Sequence, residues 1–377
     1  MAGLYVHIPF CKSKCIYCDF YSMPNELSRG ADYVSALLAE AAMRCDELKG
    51  EKVATLYVGG GTPSLLGNAL CDRLVNGLRQ VFDLSHLEEF TIEVNPDDVS
   101  EEKIRFFKSI GVNRVSMGVQ SFSDKELRLI NRRHDSAQAV QAIRRIYAAG
   151  ITNVSIDLIY GIPGQDMNTW MDNVEKAITL HPTHISAYSM MYEKGTLLTA
   201  MRDAGKVKEV AEEEVSAMYD ALVERMKAYG YQHYEISNFC MPGYASRHNS
   251  SYWSLTPYLG LGVAAHSYDG VSRRYNPSQL HRYIAAIKAG ESFYETETSS
   301  EQERYDEYVM LRLRTAEGLH FADLESRFGT EFSEFFMQKA KALITQGLLC
   351  ETGGNYFIPE TRVMLTDMIT CELLWEE

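Results

Sequence analysis

Six short β-type runs, each followed by an amphipathic stretch, fill the first half of the chain and limit its fold more than any other feature. The runs are LYVHI (4–8), ATLYVG (54–59), FTIEVN (90–95), RVSMGVQ (114–120), NVSIDLIYG (153–161) and HISAYSM (184–190). Helix-like segments lie between them, among them 31–48, 100–111 and 136–150. The last two open with Ser and close with Gly, the residue types expected at helix ends. Six βα units in succession predict a parallel sheet with helices outside. Near-continuous apolar runs predict burial of both strand faces. Periodicity alone leaves a six-unit partial barrel and a doubly wound open sheet both open.

Polar or glycine-rich residues stand at the downstream end of nearly every run: the loop after residue 8, Gly59 to Pro63, Glu93 and Asn95, Gln120, and Asp157. In a parallel β/α array these ends converge on one face, where ligands bind. A long helix is expected over 207–230. Residues 231–295, rich in Tyr, Ser, Gly and Pro, read as an irregular connecting segment. From about 296 the chain reads as helices with a short β element, GNYFIP (354–359), a winged-helix-like cap. The expected division is 1–230, 231–295 and 296–377.

Composition narrows the function classes. Lys and Arg number 37 against 51 Asp and Glu, and the net charge of -14 repels a phosphate backbone, so nucleic-acid binding is not expected. No run of about 18 apolar residues is present, so no membrane span is expected. The start, MAGLYVHIPFCKSKC, lacks the basic and apolar regions of a secretory signal. Of eight cysteines only Cys11, Cys15 and Cys18 cluster, which points to a reducing cytoplasm and a metal site. Cys45, Cys71, Cys240, Cys350 and Cys371 read as small buried hydrophobes.

Cys11-x3-Cys15-x2-Cys18 places three soft ligands within eight residues. Structural zinc and ferredoxin-type 4Fe-4S sites both want four protein ligands. Three thiolates on a 4Fe-4S cluster leave one iron open, which suits a catalytic or exchangeable ligand. His7 precedes the loop but lies in a β-type run. Free cysteines, or a zinc site completed from elsewhere, are the alternatives.

HIPFCKSKCIYCDF resembles the CxxxCxxC signature of radical S-adenosyl-L-methionine (SAM) proteins. The resemblance implies a partial (β/α)6 barrel with a mostly helical, winged-helix-like C-terminal domain. It also implies SAM chelated at the open iron, with cleavage to a 5′-deoxyadenosyl radical available to the cluster. The branch it resembles most contains oxygen-independent coproporphyrinogen III oxidase and the HemW haem chaperones. Tyr5 and Phe10 flank the cysteines as in that branch. Gly60, Gly61 and Thr62, within GGGTPS, resemble its methionine-contacting loop. Glu93, Gln120, Arg132 and Asp157 match its SAM-contacting positions. Residues Tyr188 to Met190 would offer backbone to adenine, and Gly262 to Ser267 would close the pocket.

The oxidase pattern reads CxxxCxxCxC, whereas position 20 here is Phe. Phe20 and the segment His248-Asn249-Ser250-Ser251-Tyr252-Trp253, an HNxxYW motif, are similar to the chaperone group. The resemblance thus implies haem as cargo, held by His248, Tyr252 or Trp253, and an acceptor protein, with transient membrane association during transfer. Imidazole or phenolate can ligate haem iron, and an indole face can pack on the macrocycle. Cys240, His266 and His281 are rival ligands. Asn and two Ser make a long helix here doubtful. A buried His248–Tyr252 link with Trp253 as core is the alternative reading. The second function is a radical enzyme acting on coproporphyrinogen III or another tetrapyrrole.

Overall fold

The structure, a computed structural model, describes residues 1–291 and 293–375. Six parallel strands follow in chain order: β1 (Ala2–Ile8), β2 (Val53–Gly60), β3 (Glu89–Val94), β4 (Arg114–Gln120), β5 (Asn153–Tyr160) and β6 (His184–Ser189). Each is paired to the next in parallel register. Helices α1 (Gly30–Arg44), α2 (Asn68–Val81), α3 (Glu101–Ser109), α4 (Asp124–Leu129), α5 (Ser136–Ala148), α6 (Met167–Thr179), α7 (Leu197–Asp203) and α8 (Glu212–Ala228) intervene or follow. Ser100 caps α3 as expected, but α5 is capped by Asp135 rather than Ser136, in a reciprocal box with Gln138.

Residues 231–295 are not irregular. They supply β7 (Gln232–Glu235), β8 (Asn238–Cys240), α9 (Arg247–Trp253), β9 (Tyr258–Leu261), β10 (His266–Tyr268), β11 (Ser272–Tyr275), α10 (Leu280–Ala289) and β12 (Glu295–Thr298). Strand β9 pairs in parallel with β1, adding a seventh parallel strand, and the others extend both edges antiparallel. The sheet runs β12-β11-β10-β9-β1-β2-β3-β4-β5-β6-β8-β7 and does not close on itself.

Burial corrects the expectation of two apolar faces. One face carries Leu4, Val6, Leu56, Val58, Ile92, Val115, Val154, Ile156 and Ile185, all buried in the main core. The other carries Thr55, Tyr57, Thr91, Glu93, Arg114, Ser116, Ser155, Asp157, His184 and Ser186. A period-2 pattern of this kind puts one set against the helices and the other inward. Side chains from β2 to β6 line one cavity, which requires the sheet to curl into a partial barrel. The interior is polar, and the apolar core lies between sheet and helices.

The C-terminal unit holds α11 (Glu301–Leu313), β13 (Leu319–His320), α12 (Phe321–Thr345, broken at Gly329), β14 (Cys350–Thr352), β15 (Asn355–Phe357) and α13 (Thr366–Cys371). A helix, a short strand, two further helical segments and a hairpin in that order make the expected winged-helix arrangement. It has its own apolar cluster, including Tyr305, Phe336 and Leu373. Among the described residues no helix is long and apolar enough to cross a membrane.

Candidate functional site

The cysteine loop is held at its base and at its middle. At the base Phe10 and Cys11 pair with Met23 and Pro24. His7 Nε2 lies 3.0 Å from the Tyr21 carbonyl, and its Nδ1 lies 3.0 Å from the Tyr5 hydroxyl. A carbonyl only accepts, so Nε2 carries the proton and the Tyr5 hydroxyl donates to Nδ1. Burial pushes the His7 pKa down to about 4, which keeps this neutral tautomer in place. Tyr5 does not line the cavity before the cysteines; it orients His7, which clamps the loop. At the middle, Ile16 inserts between Cys15 and Cys18 into an apolar cluster with Ile130, Ile159, Ile162, Met190 and Leu198. Sequence reasoning missed Ile16, although an apolar residue inside a polar thiol loop was a signal.

Cys11, Cys15 and Cys18 border one cavity together with Gly60, Gly61, Thr62, Glu93, Gln120, Arg132 and Asp157. An Arg132 N–H lies 3.5 Å from Cys15 Sγ, and the Thr62 hydroxyl lies 3.5 Å from Cys11 Sγ. Burial pushes the Cys18 thiol up to about 11, so a metal or cluster is needed to deprotonate it. Three thiols on one loop, with polar donors and an open side toward a polar cavity, fit a cluster that keeps one iron exchangeable.

The strand ends form the opposite wall. Glu93 accepts from the Tyr57 hydroxyl (2.7 Å) and the Gly60 N–H (3.0 Å), and burial pushes its pKa up to about 7. Burial likewise raises Asp157 to about 6. Arg132 is tied to Asn95 Oδ1 (2.7 Å) and to the Gly118 carbonyl, so its guanidinium is already oriented. A bulge in β4 between Gly118 and Gln120, with Gln120 at φ 67°, turns that side chain into the cavity. Neighbours of Arg132 also hold the site: Arg133 bridges Asp97 and Asp98, and His134 Nε2 donates to the Val119 carbonyl.

A second cavity of about 490 Å³ adjoins the first and reaches down the barrel. Tyr188 to Met190 line it, but the Met190 N–H is already donated to the Tyr160 carbonyl and is not free for a base. Phe20 stands at its mouth, 64% exposed. Arg114 lies inside, fully buried, with Thr91 at 3.5 Å and its Nε without a partner among the described residues. It is the cation facing Glu93 and Asp157, and a charged residue opening an apolar run was its signal. Residues Gly262 to Ser267 do not close either cavity. Their backbone is tied to Glu40, Tyr33 and Asn276 beside α1.

The HNSSYW segment is the helix α9, which Glu89 anchors by accepting the Arg247 and His248 N–H groups at 2.9 and 3.1 Å. His248 is buried in the barrel floor, with Nδ1 at 2.8 Å from Thr55 Oγ1 and Nε2 at 2.9 Å from the Tyr252 hydroxyl. Tyr57 stacks on its ring. Both nitrogens are thus engaged, and iron ligation requires Tyr252 or Thr55 to leave. The Trp253 Nε1 is buried without a partner among the described residues. Of the rival ligands, Cys240 is buried, His281 pairs with Arg29, and His266 is exposed. Among the remaining cysteines Cys71 is buried, Cys45 and Cys350 are half-buried, and Cys371 is exposed, so the expectation of buried small residues fails for those three.

The chain matches the radical SAM superfamily over residues 5–177 and the HemN C-terminal domain over residues 299–361. It is 35% identical over 345 residues to the heme chaperone HemW of Lactococcus lactis, covering 92% of this chain and 90% of that protein. It is 33% identical over 378 residues to the heme chaperone HemW of Bacillus subtilis, covering 100% of both. Among solved structures, the radical SAM enzyme coproporphyrinogen III oxidase (HemN) from Escherichia coli superposes with a TM-score of 0.86. That match covers 99% of this chain and 89% of the other at 24% identity, a shared fold.

Proposed function

We propose that this chain, which belongs to the heme chaperone HemW family, binds haem and passes it to an acceptor protein. The observation that carries the reading is full-length similarity to proteins of that name, joined to an exposed Phe20 where the oxidase pattern has its fourth cysteine. Cys11, Cys15 and Cys18 would hold the 4Fe-4S cluster. Glu93, Gln120, Arg132 and Asp157, with the backbone at Gly60, Gly61 and Thr62, would hold SAM. When bound, the cluster supplies an electron and one open iron for the SAM amino and carboxylate groups. Tyr5 acts through His7, as a positioning residue. Arg132, held by Asn95 and Gly118, offers a preset cation to a carboxylate.

In this reading the protein works in the cytoplasm, without nucleic acid, on an acceptor such as a respiratory haem protein, and docks transiently at the membrane. Its negative charge supports only the exclusion of nucleic acid. Haem ligation by His248, with Tyr252 and Trp253 beside it, would require the His248–Tyr252 or the His248–Thr55 bond to open. One anaerobic preparation tests the function. The cluster is reconstituted, haem is titrated while the Soret band is followed, and SAM, reductant and coproporphyrinogen III are then added. Saturable haem binding without protoporphyrinogen is expected. Stoichiometric protoporphyrinogen would replace this reading by the radical-enzyme one.

A further inference from the structure

We propose that the C-terminal unit is a clamp on the HNSSYW helix: it grips α9 at both ends, and His248 is free to meet haem iron only when that grip opens. This rests on the haem-chaperone reading above and assigns the regulation of its haem segment to a unit outside the barrel. His248 cannot reach a ligand as it stands, since it is buried and both ring nitrogens are bonded. Freeing it requires α9 to shift. Whatever fixes α9 therefore sets the fraction of molecules able to take up haem.

The downstream grip is Leu255. Its N–H donates to the Tyr252 carbonyl at 3.2 Å, and the Thr256 N–H donates to the Ser251 carbonyl at 2.9 Å. These are the paired bonds of a Schellman turn, which needs a left-handed residue just past the helix end, usually glycine. Leucine stands there instead, at φ 54°, and its Cβ strains the backbone. Its side chain packs against the apolar cluster of the C-terminal unit. A contact with the other unit thus offsets the strain. The same turn holds the backbone of Tyr252, whose hydroxyl closes the lock on His248.

The upstream grip runs through Tyr234. The Ile236 N–H donates to the Arg314 carbonyl and the Ala316 N–H to the Tyr234 carbonyl, both at 3.0 Å. The link between α11 and β13 is therefore bridged antiparallel to the end of β7. The Tyr234 hydroxyl in turn accepts the Ser246 N–H at 3.3 Å, immediately before α9. It also lies 2.8 Å from His184 Nε2, which fixes the ring. The seam itself is loosely closed. A cavity of about 240 Å³ lies along it, bordered by Glu235, Arg314, Thr315, Phe357 and Glu360. Glu235 is buried there, and its Oε1 has no partner among the described residues. The Trp253 Nε1 on α9 is in the same state. Each unpaired buried group disfavours the closed arrangement, and water relieves it on opening.

The test is a titration of the full chain with ferric haem, followed in the Soret region, with amide exchange of residues 247–253 measured on the haem-free proteins. Leu255→Gly keeps the turn and removes the anchor. Phe336→Ala weakens the C-terminal cluster from within and keeps the falsifying power should the first variant fold poorly. Both are expected to bind haem about tenfold more tightly than the wild type, because the open fraction rises, and to exchange 247–253 faster. Adding His248→Ala to Leu255→Gly should cancel the gain. With a wild type that binds saturably, equal or weaker haem binding by both single variants would overturn the clamp and leave the chaperone reading intact. Haem bound by neither the wild type nor any variant would overturn both.

Discussion

A methyl group at position 60 would sit 2.5 Å from the His7 ring, on backbone at φ 107°. The neighbouring glycines are as constrained: a Cβ at Gly59 would meet Tyr57 at 2.7 Å, and one at Gly61 the Phe10 carbonyl at 2.8 Å. The triplet reads in sequence as room for a ligand, but at Gly60 and Gly61 the place of the missing Cβ is taken by the cysteine loop or its support, Phe10 and His7. That partner lies some fifty residues away, so local pattern could not show it. Gly60→Ala is expected to cost on the order of 3 kcal/mol through strain and overpacking. Denaturant unfolding would read it, and loss of iron should follow because His7 can no longer clamp Tyr21. At the same scale Glu93, with its pKa raised to about 7, is protonated in much of the protein at pH 6. Its ionised carboxylate is the stronger acceptor for the N–H groups of the SAM amino group, so SAM affinity should rise from pH 6 to pH 8. Calorimetry on the reconstituted protein at both values checks this, and Glu93→Gln should remove the dependence. Stability runs the opposite way. The native state holds this proton longer than the unfolded chain, so between about pH 4.5 and 7 the contribution of Glu93 declines as pH rises.

Helix α9 shows how an element arises where local propensity opposes it. Asn and Ser compete with helical backbone bonds, yet residues 247–253 form a helix. The Ser246 hydroxyl accepts the Asn249 N–H, and the Glu89 carboxylate accepts two more orphan N–H groups at the positive end of the helix. Glu89 opens β3, far away in sequence, and no pattern within HNSSYW announces it. Glu89→Ala should destabilise the protein by roughly 1–2 kcal/mol, the usual cost of a lost cap. Faster amide exchange confined to residues 246–254 would show that the helix is what loosens. Uniform exchange across the barrel would show that Glu89 serves the sheet instead. The cysteine loop was more legible as an element, because three thiols at that spacing have few other uses. What stayed hidden was its anchoring through Ile16 and Tyr21.

At the scale of the whole molecule, two apolar clusters lie on either side of a boundary near residue 299, and we propose that they are separate folding units. They touch through short segments, including the Ile236 N–H to the Arg314 carbonyl and the Ala316 N–H to the Tyr234 carbonyl. Phe336 is fully buried in the second cluster. Phe336→Ala should cost roughly 3–5 kcal/mol by opening a cavity there. The cap should then unfold at lower denaturant, by tryptophan fluorescence of Trp375, while the cluster absorbance keeps its midpoint. A joint shift of both signals would show one cooperative unit.

The order of six βα units, the strand-end site, the cysteine triad and the winged-helix cap were all determined by the sequence, because each depends on periodicity or on neighbours a few residues apart. Alternation within the strands also held the answer to barrel against open sheet, since Thr55, Tyr57, Glu93, Ser116 and Asp157 occupy one face while Leu56, Val58, Ile92, Val115 and Ile156 occupy the other. Only the tertiary structure decided that 231–295 extends the sheet, that Arg114 supplies the interior cation, and that His248 is locked in the floor while His266 stands free. Those outcomes depend on pairings between residues tens to hundreds of positions apart. The free energy of such a contact is set by what the fold brings opposite each group, and a single strand of sequence does not carry it.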